Sequence, residues 1–383
     1  MKRFFQLESN AGSEIPGTAG GNQEDDKGGA KVRRIEREGG DAVPRLDDAQ
    51  PTSFISWNAD GFGCRMSKRE DMNEFCALIE KESPDVIALQ EVRQAAAGPH
   101  KAKRGDGQPR QRGTLGTPSV KAQREETQTI ESVLRREPFS QYRVWWSLAD
   151  WKYAGTALLI KKGLNPVEVK YRVDCEAGHD KDGRIILAEF DNMIVLNTYV
   201  PNNGWSEDHF GRRRAWDAQL LQFLRNVKKP LVWVGDGNVA HQEIDVTHPE
   251  YFRRARDRKF PEPAPENAGQ PGFTPAEQTR FEEHLREGGL VDSFRQMHPS
   301  PATSAEEAHW SWRGSMAGDS KYKGMGMRID YALVSTITAS RILRSDIIGH
   351  GSQRIGFMGS DHSPIILRLT AQPATEATNT INT

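Results

Sequence analysis

PLVWVGDGNVAHQEIDV, residues 230–246, is the stretch from which the fold is read. Its apolar run from Leu231 to Val234 is too short for a helix and closes on Gly235 and Gly237, the pattern of a buried strand bounded by turn residues. Such a strand delivers Asp236 and Asn238 to its carboxyl end. In an α/β protein that end collects ligands, because loops converge there over a rigid sheet. A GDGN turn in which Asp and Asn merely cap the backbone fits this stretch equally well, so the decision rests on the segments around it.

Working outward, the same layout recurs. SFISWN reads as a strand that leaves Asn58 and Asp60 on a Gly-rich ADGFG loop, and DVIALQEV reads as a buried strand with Glu91 at its end. Between them an SKRE capping box predicts a helix that starts at Ser67, with Met72, Phe75, Cys76 and Ile79 on its core face. RVWWS, GTALLI, RIILAEF and MIVLNTYV follow as four strands in close succession, which suggests antiparallel pairing; the last ends at Tyr199, Pro201, Asn202 and Asn203. A helix is expected over Glu207 to Asn226, with Trp216, Leu220, Leu221, Phe223 and Leu224 facing the core, and another after Thr274 with Pro275 at its first position. WSW, RIDYALV and SPIILRL complete the strands, placing Asp330 within one and Asp361 and His362 just before another.

Other segments lack this order. Residues 1–50 are rich in Gly, Glu, Asp and Arg and read as a disordered leader; KVRRIER, residues 31–37, has the composition of a nuclear-localisation patch, and the acidic residues argue against a mitochondrial transit peptide. Residues 93–124 carry eight Lys or Arg and the single acid Asp106 among Gly, Pro and Gln, and read as an inserted basic loop able to follow a phosphate backbone. Residues 372–383 read as a flexible tail, leaving residues 51–371 as the catalytic domain. No run of about 18 apolar residues is present, so no membrane-spanning helix is expected. Three cysteines without metal-ligand spacing, Cys64, Cys76 and Cys175, fit a reducing compartment. A formal charge of -1 gives no global pull toward nucleic acid, so DNA affinity has to come from local patches.

Gathered at strand ends, Asn58, Asp60, Glu91, Tyr199, Asn202, Asp236, Asn238, Asp330, Asp361 and His362 make an acidic, amide-rich, thiol-free set of the kind a hard cation requires. Phosphodiester hydrolysis needs such a set: a cation to neutralise charge on phosphate oxygens, a carboxylate to align water, and a histidine or amide to hold the phosphate.

SWNADG, DVIALQEV, NTYVPNNG, GDGNVAHQEIDV, GFTPAEQ, MRIDY and GSDHSPI, in this order, resemble the exonuclease III type of AP endonuclease within the endonuclease/exonuclease/phosphatase superfamily, over about residues 52–370. The resemblance implies a DNase I-like α/β fold, a four-layer sandwich of two packed mixed β-sheets flanked by helices. It implies Mg²⁺, with Mn²⁺ able to substitute, held around Asn58, Asp60 and Glu91, with Asp361 acting through water or at a second position near Asp236, Asn238 and His362. Asp236 would activate water with Asn238 orienting it, Tyr199, Asn202 and His362 would hold the phosphate, and Asp330 would buttress His362. Trp312, Met327 and Ile329 would line a pocket for the flipped abasic sugar, and Trp205 stands where some relatives place a groove-reaching arginine. The implied partner is double-stranded DNA with abasic sites or blocked 3′ ends, with other repair proteins as further partners and a monomer as the acting form; the expected compartment is the nucleus, with the mitochondrion as the alternative. Ile55 and Ala88 stand where mammalian relatives carry redox-linked cysteines, so that second activity is not implied.

Overall fold

Side chains in SFISWN alternate between two apolar layers, as the period-two geometry of a strand requires: Phe54 enters one while Ile55 and Trp57 enter the other. The computed structural model describes residues 50–99, 106–118, 120–173, 181–304, 306–318 and 320–371. The expected leader with its residue 31–37 patch, the tail and Cys175 lie outside the described residues. Two six-stranded sheets organise the chain. The first contains β1 (Ser53–Asn58), β2 (Val86–Gln90), β3 (Tyr142–Ser147), β4 (Thr156–Lys161), β11 (Ile342–Ile347) and β12 (Ile365–Leu369). Its order is β11-β12-β1-β2-β4-β3. The second contains β5 (Glu168–Lys170), β6 (Ile185–Glu189), β7 (Ile194–Tyr199), β8 (Leu231–Asp236), β9 (Leu290–Asp292) and β10 (Asp330–Ser335), in the order β9-β10-β8-β7-β6-β5.

Three apolar layers make the sandwich. Phe54, Val86, Ala88 and Leu158 of the first sheet meet Ala188, Val195, Val232, Val234 and Val334 of the second. On the outer face of the first sheet, Ile55, Trp57 and Leu89 pack beneath α1 (Phe62–Ser67), α2 (Arg69–Glu82) and α3 (Lys121–Leu134) through Phe62, Phe75, Ile79 and Ile130. On the outer face of the second, Leu196, Leu231 and Trp233 pack beneath α4 (Glu207–Asn226) and α5 (Pro275–Glu287) through Trp216, Leu220, Leu224 and Phe281. The order helix, sheet, sheet, helix is the four-layer α/β sandwich expected.

Both sheets are mixed, and this brings the site together. β1 and β2 run parallel, as do β7 and β8, whereas β12 runs antiparallel to β1 and β10 antiparallel to β8. The carboxyl ends of four strands and the amino ends of two therefore share one edge of the sandwich, with Asp236 directly opposite Asp330.

Several expectations are corrected. The SKRE box does not form: Ser67 closes α1 and bonds back to the Gly63 carbonyl, and Lys68 precedes α2 without a side-chain cap. ADGFG is correspondingly short, because the helix begins at Phe62. The four successive strands pair antiparallel two by two, β3 with β4 and β6 with β7, but the pairs belong to different sheets. Residues 93–124 are not one loop: Ala96–Ala97 pairs with Gln111–Leu115, and α3 starts at Lys121. Of WSW, Trp312 alone lies in a strand, paired with Met327.

Candidate active site

Asn58 links the two sheets at their common edge. Completely buried at the end of β1, it donates from Nδ2 to Glu91 Oε1 at 3.1 Å and to Asp236 Oδ2 at 2.9 Å, while its Oδ1 accepts the Asp60 amide at 3.1 Å. One side-chain amide thus fixes a carboxylate from each sheet. Asp60, Glu91 and Asn238 all adopt φ of 47°, in the left-handed region that non-glycine residues seldom occupy. Such backbone persists where surrounding bonds over-determine it.

Asp236 is held from several directions. Asn238 donates its backbone N–H to Oδ1 at 2.8 Å and its side chain to Oδ2 at 3.3 Å, and the same amide reaches the Val200 carbonyl at 2.9 Å. Asn202 donates to Asn238 Oδ1 at 3.1 Å, so the Asp-x-Asn turn is tied to the end of β7. His362 points Nδ1 at Asp330 Oδ2, 2.8 Å away, and Nε2 toward Asp236 Oδ2 at 4.0 Å. Burial works against the imidazolium, but the Asp330 carboxylate outweighs it and keeps His362 protonated well above its ordinary range. Burial, reinforced by Asp330, pushes the Asp236 carboxyl up to about 7.

Beside this group lies a second acidic one. Burial and the nearby Asp361 charge raise Asp60 to about 6. Burial would raise Glu91 too, but the Arg93 guanidinium, the Asn58 amide and His362 hold it at about 2. Arg93 spans the pair, with Nη1 2.6 Å from Asp60 Oδ1 and Nε 2.9 Å from Glu91 Oε2. A cationic group standing between these carboxylates shows that they can seat positive charge. Asp236, Asp330 and His362 form the other compact set, with one ligand atom of each lying within 4.8 Å of the others, and Asp330 Oδ1 is buried without a hydrogen-bond partner. The Asp60 and Glu91 donors are carboxylate oxygens, which fit a hard divalent cation, whereas the protonated His362 ring has no nitrogen lone pair to offer one.

Residues 55–362 match the family described as Endonuclease/Exonuclease/phosphatase. The chain belongs to this family. It is 42% identical over 383 aligned positions to a DNA-(apurinic or apyrimidinic site) endonuclease of Arabidopsis thaliana, covering 98% of each chain. It is 32% identical to an exodeoxyribonuclease of Bacillus subtilis (strain 168), covering 82% of this chain and 98% of that one. In fold it resembles a 3′ phosphatase from Neisseria solved with a product DNA hairpin, at TM-score 0.57 and 20% identity, over 84% of this chain and 100% of that one.

In this candidate site Asn58, Glu91, Asp236, Asn238, Asp330 and His362 stand together at one edge of the sandwich. Tyr199 lies against Glu91 with Arg184 stacked 4.6 Å from its ring. Asp361 accepts the Trp312 indole N–H at 3.1 Å. Trp312, Met327 and Ile329 are only 5%, 4% and 7% exposed and pack with Val246, Phe252, Phe273 and Tyr322. They form a closed apolar cluster rather than an open pocket. A cavity of about 290 Å³ opens beside it, lined by Glu243, Val246, Pro249, Pro301 and Trp310. Trp205 is half-buried beneath the Lys321 ammonium, 5.2 Å from its ring centre. Sequence reasoning missed Arg93, whose signal was a base two residues beyond a strand-end Glu. It also missed Ser311, whose buried hydroxyl accepts the Ile329 and Asp330 amides at 3.0 Å and fixes the start of β10.

Proposed function

We propose that this protein is an AP endonuclease that hydrolyses duplex DNA on the 5′ side of an abasic site, with Mg²⁺ as its cation. The observation that carries this reading is the doubly bonded Asp236 carboxylate, 4.0 Å from the imidazole of the His362–Asp330 pair, within a chain 42% identical to an AP endonuclease over nearly its full length. Asp236 receives the proton of a water molecule whose oxygen attacks phosphorus. The phosphorus–O3′ bond breaks and the departing O3′ takes up a proton from solvent, leaving a 3′-hydroxyl and a 5′-deoxyribose phosphate. The imidazolium of His362, the phenol of Tyr199 and the exposed amide of Asn202 hold the phosphate oxygens. Asp60 and Glu91 would hold Mg²⁺, with Asp361 alongside; when bound it neutralises charge developing on the phosphate. Arg93, whose guanidinium spans that pair, would have to release it for the ion to be held there.

The same chemistry applied at a blocked 3′ end gives 3′-phosphodiesterase and exonuclease activity, a reading favoured by similarity to the B. subtilis exodeoxyribonuclease. Flipping the abasic sugar toward Trp312, Met327 and Ile329 requires their cluster to open, with Trp205 stacking in the groove. We infer a nuclear location from the short basic segment at residues 31–37. A duplex carrying one tetrahydrofuran abasic analogue tests the reading: one cut, 5′ to the analogue, is expected with Mg²⁺ and none in excess EDTA. Undiminished cutting in EDTA overturns the cation assignment, and an intact duplex under all conditions overturns the substrate.

A further inference from the structure

Beyond the residues that face substrate, Arg213 stands out as a guanidinium buried to 2% exposure on α4 and turned toward the back of the catalytic turn. Where β7 and β8 end, their backbones leave the ladder and three carbonyls need donors. Arg213 supplies them all: Nη1 donates to Pro201 O at 3.0 Å and to Asn238 O at 3.1 Å, and Nη2 to Gly237 O at 3.1 Å. Its Nε donates to Asp217 Oδ1 at 2.9 Å, and Glu277 Oε1 lies 3.4 Å from Nη1. Glu277 is itself fixed by the Gly272 amide at 2.9 Å and the Thr274 hydroxyl at 2.8 Å, and Arg280 of α5 holds Asp217 at 2.7 Å.

We infer that Arg213 is a positioning residue for catalysis, a clamp that fixes the Asp236–Asn238 turn and the Pro201–Asn202 strand end in mutual register by acting through Asn238. Buried ion pairs stabilise folds weakly compared with apolar residues of the same volume, so what this group contributes is geometry. Asn238 needs that contribution: at φ 47° it occupies an unfavourable region, while its N–H aims Asp236 and its Oδ1 receives Asn202. Release of its carbonyl frees the turn, and both contacts drift together. Lysine cannot replace the clamp, because a compact ammonium offers three donors from one point whereas the planar fork spans several carbonyls. The clamp rests on the proposed role of the Asp236–Asn238 turn in phosphodiester hydrolysis.

A double-mutant cycle separates the two. Single-turnover cleavage of a tetrahydrofuran-containing duplex, equilibrium binding of that duplex and melting temperature are measured for the parent, Arg213→Lys, Asn238→Gly and the double variant; glycine accepts φ 47° without strain. Arg213→Lys is expected to slow cleavage about ten- to a hundredfold, the scale of an ångström-sized misplacement, with binding changed by less than about threefold. In the Asn238→Gly background the same substitution is expected to cost several-fold less than in the parent, because the side chain that ties the turn to Asn202 and Val200 is gone, while the backbone N–H to Asp236 remains. A full loss in both backgrounds overturns the clamp alone. Parental cleavage by Asn238→Gly overturns the clamp and the assigned role of the turn together. If Arg213→Lys does not fold, Asp217→Asn, which removes the carboxylate anchoring Nε, carries the same cycle. An unchanged rate, or an equal loss in both backgrounds, then overturns the clamp.

Discussion

Asp236 is a carboxylate taken out of water, with an amide on either side and an imidazolium no nearer than 4.0 Å. Its folded-state pKa of about 7 lies above the ordinary 3.8, so between those values the folded protein binds a proton that the unfolded chain releases. The group therefore favours folding at low pH, and that contribution is lost as pH rises through about 7. Asp236→Asn is expected to raise the melting temperature of EDTA-treated protein more at pH 8 than at pH 5; an equal shift at both contradicts the assigned protonation. Asp236 and Glu91 were legible in the sequence because polar groups that follow a buried apolar run stand at a strand end, and His362 because it immediately precedes such a run. Arg213 was not legible. On an amphipathic helix an arginine reads as solvent-facing, and only the tertiary fold shows carbonyls in need of its donors.

At the scale of elements, strand ends govern the site, and Gly235 shows how tightly they are packed. It has φ of 141°, and a Cβ there would stand 2.0 Å from the Thr198 carbonyl oxygen on β7. Gly235→Ala is expected to destabilise the fold by at least ~1–3 kcal/mol through strain and displacement. It should also slow cleavage, because Asp236 is the next residue; denaturant unfolding with a single-turnover assay checks both. A second expectation concerns the basic segment, whose described residues include a short antiparallel strand pair. Arg110 pairs with Asp106 and Arg112 with Asp150, yet the segment remains largely exposed. If it follows a DNA backbone, deletion of residues 98–114 lowers the slope of log affinity against log salt by about 0.9 per lost phosphate contact. An unchanged slope in a folded variant excludes that role. Central strands were legible as apolar runs, whereas β5, β9 and β11 were not. All three are sheet edges, and short or charge-bearing edges such as EVK and ILRSDI lack the run that marks burial.

For the whole molecule, the active site exists only where two sheets meet, and buried polar bonds fix how they meet. Asn197 on β7 is completely buried, accepts from Gln90 Nε2 at 2.8 Å and donates to Ala157 O at 2.9 Å and Leu89 O at 3.2 Å. Asn197→Ala leaves the buried Gln90 amide with Ser56 alone and takes the Asn197 donor from two buried carbonyls, and is expected to cost ~1–3 kcal/mol in equilibrium unfolding. It should weaken cleavage as well, since Asn58 can tie Glu91 to Asp236 only while the sheets keep their register. A loss of stability with no loss of rate contradicts that coupling. This inter-sheet geometry was not legible in the sequence: Asn197 and Gln90 lie 107 positions apart, and no local pattern announces their bond. The four layers were reached through resemblance rather than periodicity, because alternation assigns faces but not neighbours.

The central claim is that strand ends of both sheets make one hydrolytic site in which Asp236 acts on water. Single-turnover cleavage of a duplex bearing a tetrahydrofuran abasic analogue, compared between the parent and Asp236→Asn alongside equilibrium binding, tests it most directly. The account predicts a rate lower by about 10²-fold or more, the scale of losing a positioned general base, with affinity nearly unchanged. Cleavage by a folded Asp236→Asn at the parental rate would contradict it and reduce the GDGN segment to a structural turn.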